Sequence, residues 1–153
     1  MIALTEKEMP SRKIEDCVPE LQEKYWLFKE KMAEAGVPFM LTCTYRSQEE
    51  QNNLYAQGRT KPGQVVTWTK RSRHIDRKAF DIAILTPLSP PLDKGGKEGG
   101  LSPTWDVKVN VNANDIPDYI EAGQIGERVG LTWGGRFRNS KGQPRPDYPH
   151  FKV

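Results

Sequence analysis

The run AFDIAIL at residues 79–85 restricts the fold of this chain more than any other stretch. Its continuous apolar character is that of a strand buried in a sheet. Asp81 interrupts it. A bare carboxylate buried there costs on the order of several kcal/mol, so a cation must meet it. Arg71, Arg73 and Arg77 stand nearby in sequence, and an ion pair with one of them is the commoner solution for a single buried carboxylate. A metal ion is the other. With 153 residues, the chain can bury such a strand in one domain without disulfide staples.

The chain has two histidines, and both have a carboxylate at short range. His74 lies in SRHIDRKAFDIA, ahead of Asp81, and His150 lies in DYPHF, after Asp147. One histidine alone is usually a packed or hydrogen-bonded residue. Two imidazoles and one buried carboxylate in a small domain form a recurrent ligand set for catalytic zinc, with one coordination position left open. One Zn2+ ion on His74, Asp81 and His150 is therefore expected. Zinc acidifies water and polarises a carbonyl.

Pro146 and Pro149 exclude a helix around Asp147. A bend at Tyr148-Pro149 would bring His150 to the metal and Asp147 beside it, as general base and then general acid. An ordinary turn aspartate next to proline is the plainer role. Cys17 and Cys43 form no CxxC pair, which argues against a thiolate zinc site. Cys43 sits in an alternating apolar run and reads as a buried free thiol.

The local signals describe an α+β fold: a small antiparallel sheet with flanking helices, one domain over residues 1–153, and the metal site in a cleft on the sheet. Helical spacing covers 18–35 and ends at Gly36. Ser47 and Glu50 form a capping box for a helix to about residue 57. Asp115 is expected to cap a third helix, reaching about residue 129. Strands are expected at 39–45, 65–69, 79–85, 105–111 and 131–133, with an extended segment at 149–153. The Pro/Gly-rich residues 87–104 read as a flexible insertion, most simply filler.

Four stretches, in order, carry a family resemblance: TYRSQEEQNNLYAQGRTKPGQVVTW (44–68), SRHIDRKAFDIA (72–83), GLTWGGRF (130–137) and DYPHF (147–151). Together they resemble the M15 family of zinc peptidases, which contains D-alanyl-D-alanine carboxypeptidases and phage L-alanyl-D-glutamate endopeptidases. The resemblance implies His74, Asp81 and His150 as metal ligands and Asp147 as the catalytic carboxylate. It also makes Arg46 a catalytic and substrate-binding residue that stabilises charge on the scissile carbonyl. Ser72 and Trp133 fall in matched stretches and are expected to line the cleft. One position departs from the pattern. The family often has glycine in His-x-x-Gly-x-Ala-x-Asp, and here Arg77 stands in its place, with Ala79 and Asp81 retained.

The implied substrate is a peptidoglycan stem peptide. An aspartate as catalytic carboxylate favours the phage-type endopeptidase. A D,D- or L,D-carboxypeptidase and a zinc-binding, non-catalytic wall-binding or protein-binding module are the alternatives. The formal charge of +3 does not point to nucleic acid. The basic cluster Lys70, Arg71, Arg73, Arg77 and Lys78 reads as a solvated rim. No run is apolar enough for a signal peptide or a membrane span. A monomer made in the cytoplasm and acting at the cell wall or periplasm after release is expected.

Overall fold

The computed structural model describes residues 10–87 and 100–153. A 3-10 turn at Ile14–Asp16 leads into helix α1 (Pro19–Ala35), whose proline sits in the first turn and whose end is closed by Gly36 in the left-handed conformation. Strand β1 (Phe39–Cys43) follows, then helix α2 (Gln48–Ala56). Ser47 caps α2, its Oγ accepting from the Glu50 N–H at 3.1 Å. Strands β2 (Ala79–Pro87) and β3 (Leu101–Thr104) come next. Helix α3 (Asp118–Arg128), β4 (Thr132–Trp133), a 3-10 turn at Gly134–Arg136 and β5 (His150–Lys152) complete the order.

All the strands join one antiparallel sheet in the order β1-β2-β5-β4, with β3 also paired to β2. β2 is the organising strand. Phe80, Ile82 and Ile84 alternate onto the face that packs against the helices, whereas Asp81 points to the opposite face. Helix α1 buries Leu21, Tyr25, Phe28 and Met32 on that core. The Phe28 ring lies 4.9–5.6 Å from those of Phe39, Phe80 and Phe151. Deleting a buried ring of this kind costs about 3–5 kcal/mol, so this aromatic cluster sets where β2 and β5 lie.

Several local expectations shift. Residues 65–69, β-branched and aromatic as in a strand, form an irregular loop on the surface. Side chains from α2 hold its backbone instead of a sheet neighbour. Gln51 Nε2 donates to Thr69 O at 2.7 Å and Gln48 Nε2 to Lys70 O at 2.9 Å. Residues 105–111 are turns rather than a strand, because Asp106 Oδ1 takes the Lys108 N–H at 2.9 Å in a local alternative to sheet pairing. Helix α3 starts after Pro117 and not at Asp115, since proline keeps the residue before it out of the helical region. The expected insertion at 87–104 is shorter, because Pro87 ends β2 and pairs with Leu101 of β3. Residues 88–99 of that expectation lie outside the described residues.

Candidate active site

β2 brings the site together through its two neighbours. Asp81 is registered opposite Cys43 of β1 and opposite His150 of β5. Across the second pair, His150 Nδ1 lies 2.9 Å from Asp81 Oδ1. His74 arrives from the turn before β2. Its N–H bonds the Ser72 Oγ at 3.2 Å, and its carbonyl accepts from the Arg46 N–H at 3.2 Å. His74 Nε2 reaches the same Asp81 oxygen, at 3.2 Å. None of Arg71, Arg73 or Arg77 pairs with Asp81: Arg73 faces Asp76 and Arg77 bonds the Asp16 carbonyl. The one arginine in range is Arg46, with Nη2 3.9 Å from Asp81 Oδ2.

The hydrogen bonds fix the state of His74. Its Nδ1 sits 2.7 Å from the Thr44 carbonyl, which can only accept, so Nδ1 carries the proton. In the neutral ring, Nε2 then offers a lone pair. This nitrogen is buried, lacks a hydrogen-bond partner and faces a carboxylate oxygen. Two acceptors facing each other require positive charge between them, either a proton or a cation. With a proton there, burial works against the charge on His74, but Asp81 and Cys43 outweigh it and raise the group to about 10. Burial likewise opposes charge on Asp81, yet His150 and His74 hold its carboxyl well below the usual range. A divalent cation satisfies the same need, and the mixed nitrogen and oxygen donors suit one.

Among the described residues, possible metal donors fall in two clusters that share Asp81, with Cys43 and His74 in one and Asp147 and His150 in the other. One side-chain oxygen of Asp147, one of Asp81 and a ring nitrogen of His150 lie within 4.8 Å of one another. The Asp147 backbone is pinned from both ends, as its N–H bonds Gly134 O at 2.8 Å and its carbonyl accepts from the His150 N–H at 3.2 Å. Burial of its inner side and repulsion from Asp81 raise its carboxyl, partly offset by His150, His74 and Arg46. Arg46 is held by Gln51, whose Oε1 accepts from Nη1 at 2.7 Å, and by Cys43, whose Sγ accepts from Nη2 at 3.4 Å.

These side chains open into a cleft of about 970 Å³ that also includes Ser72, Trp68, Phe137, Arg145 and Lys152. Trp133 does not line it. Its ring is 5 % exposed and packed against Gly123, with Nε1 bonded to Tyr148 O at 2.9 Å, so it supports the cleft from the core. Arg77 adopts φ +62°, the left-handed region where glycine is at ease, so the chain follows the glycine path with an arginine. Sequence reasoning missed Gln51, Cys43 and Lys152. Only strand register or a long side-chain reach brings them to the site. For Lys152, the i, i+2 spacing from His150 was the available signal.

Metal-dependent hydrolysis is the chemistry that this arrangement supports. The family model described as D-alanyl-D-alanine carboxypeptidase, one of the M15 peptidases, matches residues 66–153. The chain is 32% identical, over 153 residues, to the peptidoglycan L-alanyl-D-glutamate endopeptidase CwlK of Bacillus subtilis (strain 168), covering 99% of this chain and 79% of that protein. Its fold is similar to that of the Serratia marcescens L-Ala D-Glu endopeptidase ChiX, with TM-score 0.57 and 20% identity over 92% of this chain and 82% of that one. It is also similar to the LdcB LD-carboxypeptidase, with TM-score 0.54 and 14% identity over 89% of this chain and 58% of the other. The chain belongs to the M15 family of peptidases. Among the described residues, no helix is long and apolar enough to cross a membrane.

Proposed function

We propose that the chain is a zinc-dependent peptidoglycan peptidase that hydrolyses the L-alanyl–D-glutamyl bond of stem peptides. The observation that carries the chemistry is the buried, unpartnered Nε2 of His74 aimed at Asp81, with His150 on the same carboxylate oxygen. His74, Asp81 and His150 hold the metal in this reading. The bond assignment rests on the similarity to the Bacillus endopeptidase, which extends over nearly the whole chain. In this reading the protein acts on the peptidoglycan of the cell wall.

When bound, zinc supplies Lewis-acid polarisation of the scissile carbonyl and acidifies water. Asp147 takes the proton from the attacking water and returns it to the leaving amine. Burial and the neighbouring Asp81 raise its carboxyl, the direction that makes a carboxylate a better proton acceptor. Arg46 faces the carbonyl oxygen as negative charge develops there. Gln51 and Cys43 keep that guanidinium in one orientation. Ser72 fixes the His74 turn through its hydroxyl and lines the cleft wall.

Digestion of purified sacculi by the zinc-loaded protein, read by mass spectrometry, tests the reading. New N-terminal D-glutamyl ends are expected. Release of terminal D-alanine alone would make the chain a carboxypeptidase. No cleavage with zinc bound would leave a wall-binding module, a role that requires neither Asp147 nor Arg46.

A further inference from the structure

We propose that Lys152 is the specificity residue that binds the free carboxylate of the glutamyl residue on the leaving side of the scissile bond. The inference rests on the endopeptidase reading and deepens it. Glutamate has two carboxyl groups. Whichever one continues the peptide, the other remains as an anion a few bonds from the leaving nitrogen. Alanine, on the other side of the bond, brings no such charge.

β5 carries both His150 and Lys152, and residues two apart on a strand share a face about 7 Å apart. Lys152 therefore extends over the same cleft as the proposed ligand. Phe137 ties the two together. Its ring centroid is 5.5 Å from that of His150, and the Lys152 ammonium stands 4.8 Å from it. β5 runs between β2 and β4, which fixes the Lys152 backbone on both edges, opposite Ala79 and Thr132.

The charge of Lys152 is uncompensated. Among the described residues, no carboxylate lies within 4.0 Å of its ammonium. Arg73 lies near enough for its charge to act on Lys152, which adds repulsion. Most other cations at the cleft are engaged elsewhere, Arg73 facing Asp76 at 3.8 Å, whereas the exposed Arg71 has no side-chain partner among the described residues. Arg46 is bonded to Gln51, Arg138 to the Gly142 carbonyl, and Arg145 stands over the exposed Trp68 ring at 5.0 Å. Lys152 is partly buried and its ammonium has no carboxylate partner among the described residues, so a substrate carboxylate would supply one.

The test compares two peptides containing L-alanyl–D-glutamate, one with the free carboxylate and one with a carboxamide in its place. The zinc-loaded wild-type protein should favour the acid by about tenfold or more in kcat/KM, the discrimination of a site built around one polar group. In K152M the acid-to-amide ratio should fall towards one, and K152R should keep most of it. Equal rates on both peptides in the wild type, or an unchanged ratio in K152M, would overturn the proposal. The wild-type ratio is decisive even if K152M folds poorly. Release of D-alanine with no alanyl–glutamyl cleavage, on stem peptides of either form, would overturn the endopeptidase reading itself, and this inference with it.

Discussion

Asp81 and His150 stand directly opposite each other in the antiparallel ladder between β2 and β5, and their side chains meet at 2.9 Å on the cleft face of the sheet. The same pairing puts Phe80 opposite Phe151 on the core face, where their rings stack at 5.4 Å. A slip of one residue would exchange the two faces. Aromatic packing therefore enforces the register that the site needs, and stability and chemistry are fixed by the same few ladder positions.

The first prediction concerns protons. His74, raised to about 10, is protonated at neutral pH when no metal is present. Its contribution to stability is complete below the unfolded histidine pKa of about 6.5 and is lost as pH rises through the folded value. Asp81 is depressed, so its contribution is present above the unfolded value of about 3.9 and is lost as pH falls. A metal on Nε2 must displace the His74 proton. Zinc binding at neutral pH should release about one proton, and affinity should rise with pH. Calorimetry in two buffers of different ionisation enthalpy measures the count. A count of zero would mean that His74 is already neutral.

The second prediction separates binding from catalysis. Asp147→Asn should lower kcat by about 10²–10⁴ while zinc content stays near that of the wild type. The wild-type rate should fall on the acid side, and Asp147→Asn should lose that limb. That limb reports protonation of the base. Arg46→Ala should cost about 10²–10³ in kcat, again with metal retained. Loss of zinc in either variant would assign that residue to metal binding instead.

Much of this was legible in the sequence, for identifiable reasons. A charge inside AFDIAIL and two histidines with nearby carboxylates are unusual enough to reveal a site without a fold. The first two helices were legible because Gly36 and the Ser47–Glu50 pair act within one turn. Residues 65–69 were misread because β-branched and aromatic residues suit a strand, whereas the backbone there is held by the Gln51 and Gln48 side chains and not by a sheet neighbour. Trp133 was misplaced because a matched motif gives proximity in the chain, not the direction of a ring. Lys152 and Gln51 reach the site only through strand alternation and a helix face.

The third prediction concerns Arg77. Its φ of +62° strains any residue with a Cβ by roughly 1–2 kcal/mol. Its side chain contributes in return, through Nη1 to the Asp16 carbonyl at 2.9 Å and by covering the Tyr45 ring at 4.0 Å. Arg77→Ala loses those contacts and keeps the strain, whereas Arg77→Gly loses them and relieves it. The glycine variant should be more stable than the alanine variant by about 1 kcal/mol in urea unfolding. Equal stabilities would mean that the backbone relaxes out of the left-handed region.

The fourth prediction isolates the turn that seats Asp147. A Cβ at Gly134 would collide with the Asp147 carbonyl oxygen and lie 3.0 Å from the His150 Cβ. Neither neighbour is a flexible side-chain end, so backbone must move. The Asp147 N–H bond to Gly134 O would be strained by the same shift. Gly134→Ala should therefore lose about 1–3 kcal/mol of stability, the usual range for overpacking. It should also weaken zinc binding and lower kcat together, because His150 and Asp147 are displaced as a unit. Gly100→Ala is the control, since a Cβ there meets nothing within 4 Å among the described residues and should change stability by no more than about 0.5 kcal/mol. If Gly134→Ala lost stability but kept both zinc affinity and kcat, the turn would be a folding element only, and the placement of Asp147 would depend on Pro146 and Pro149 instead.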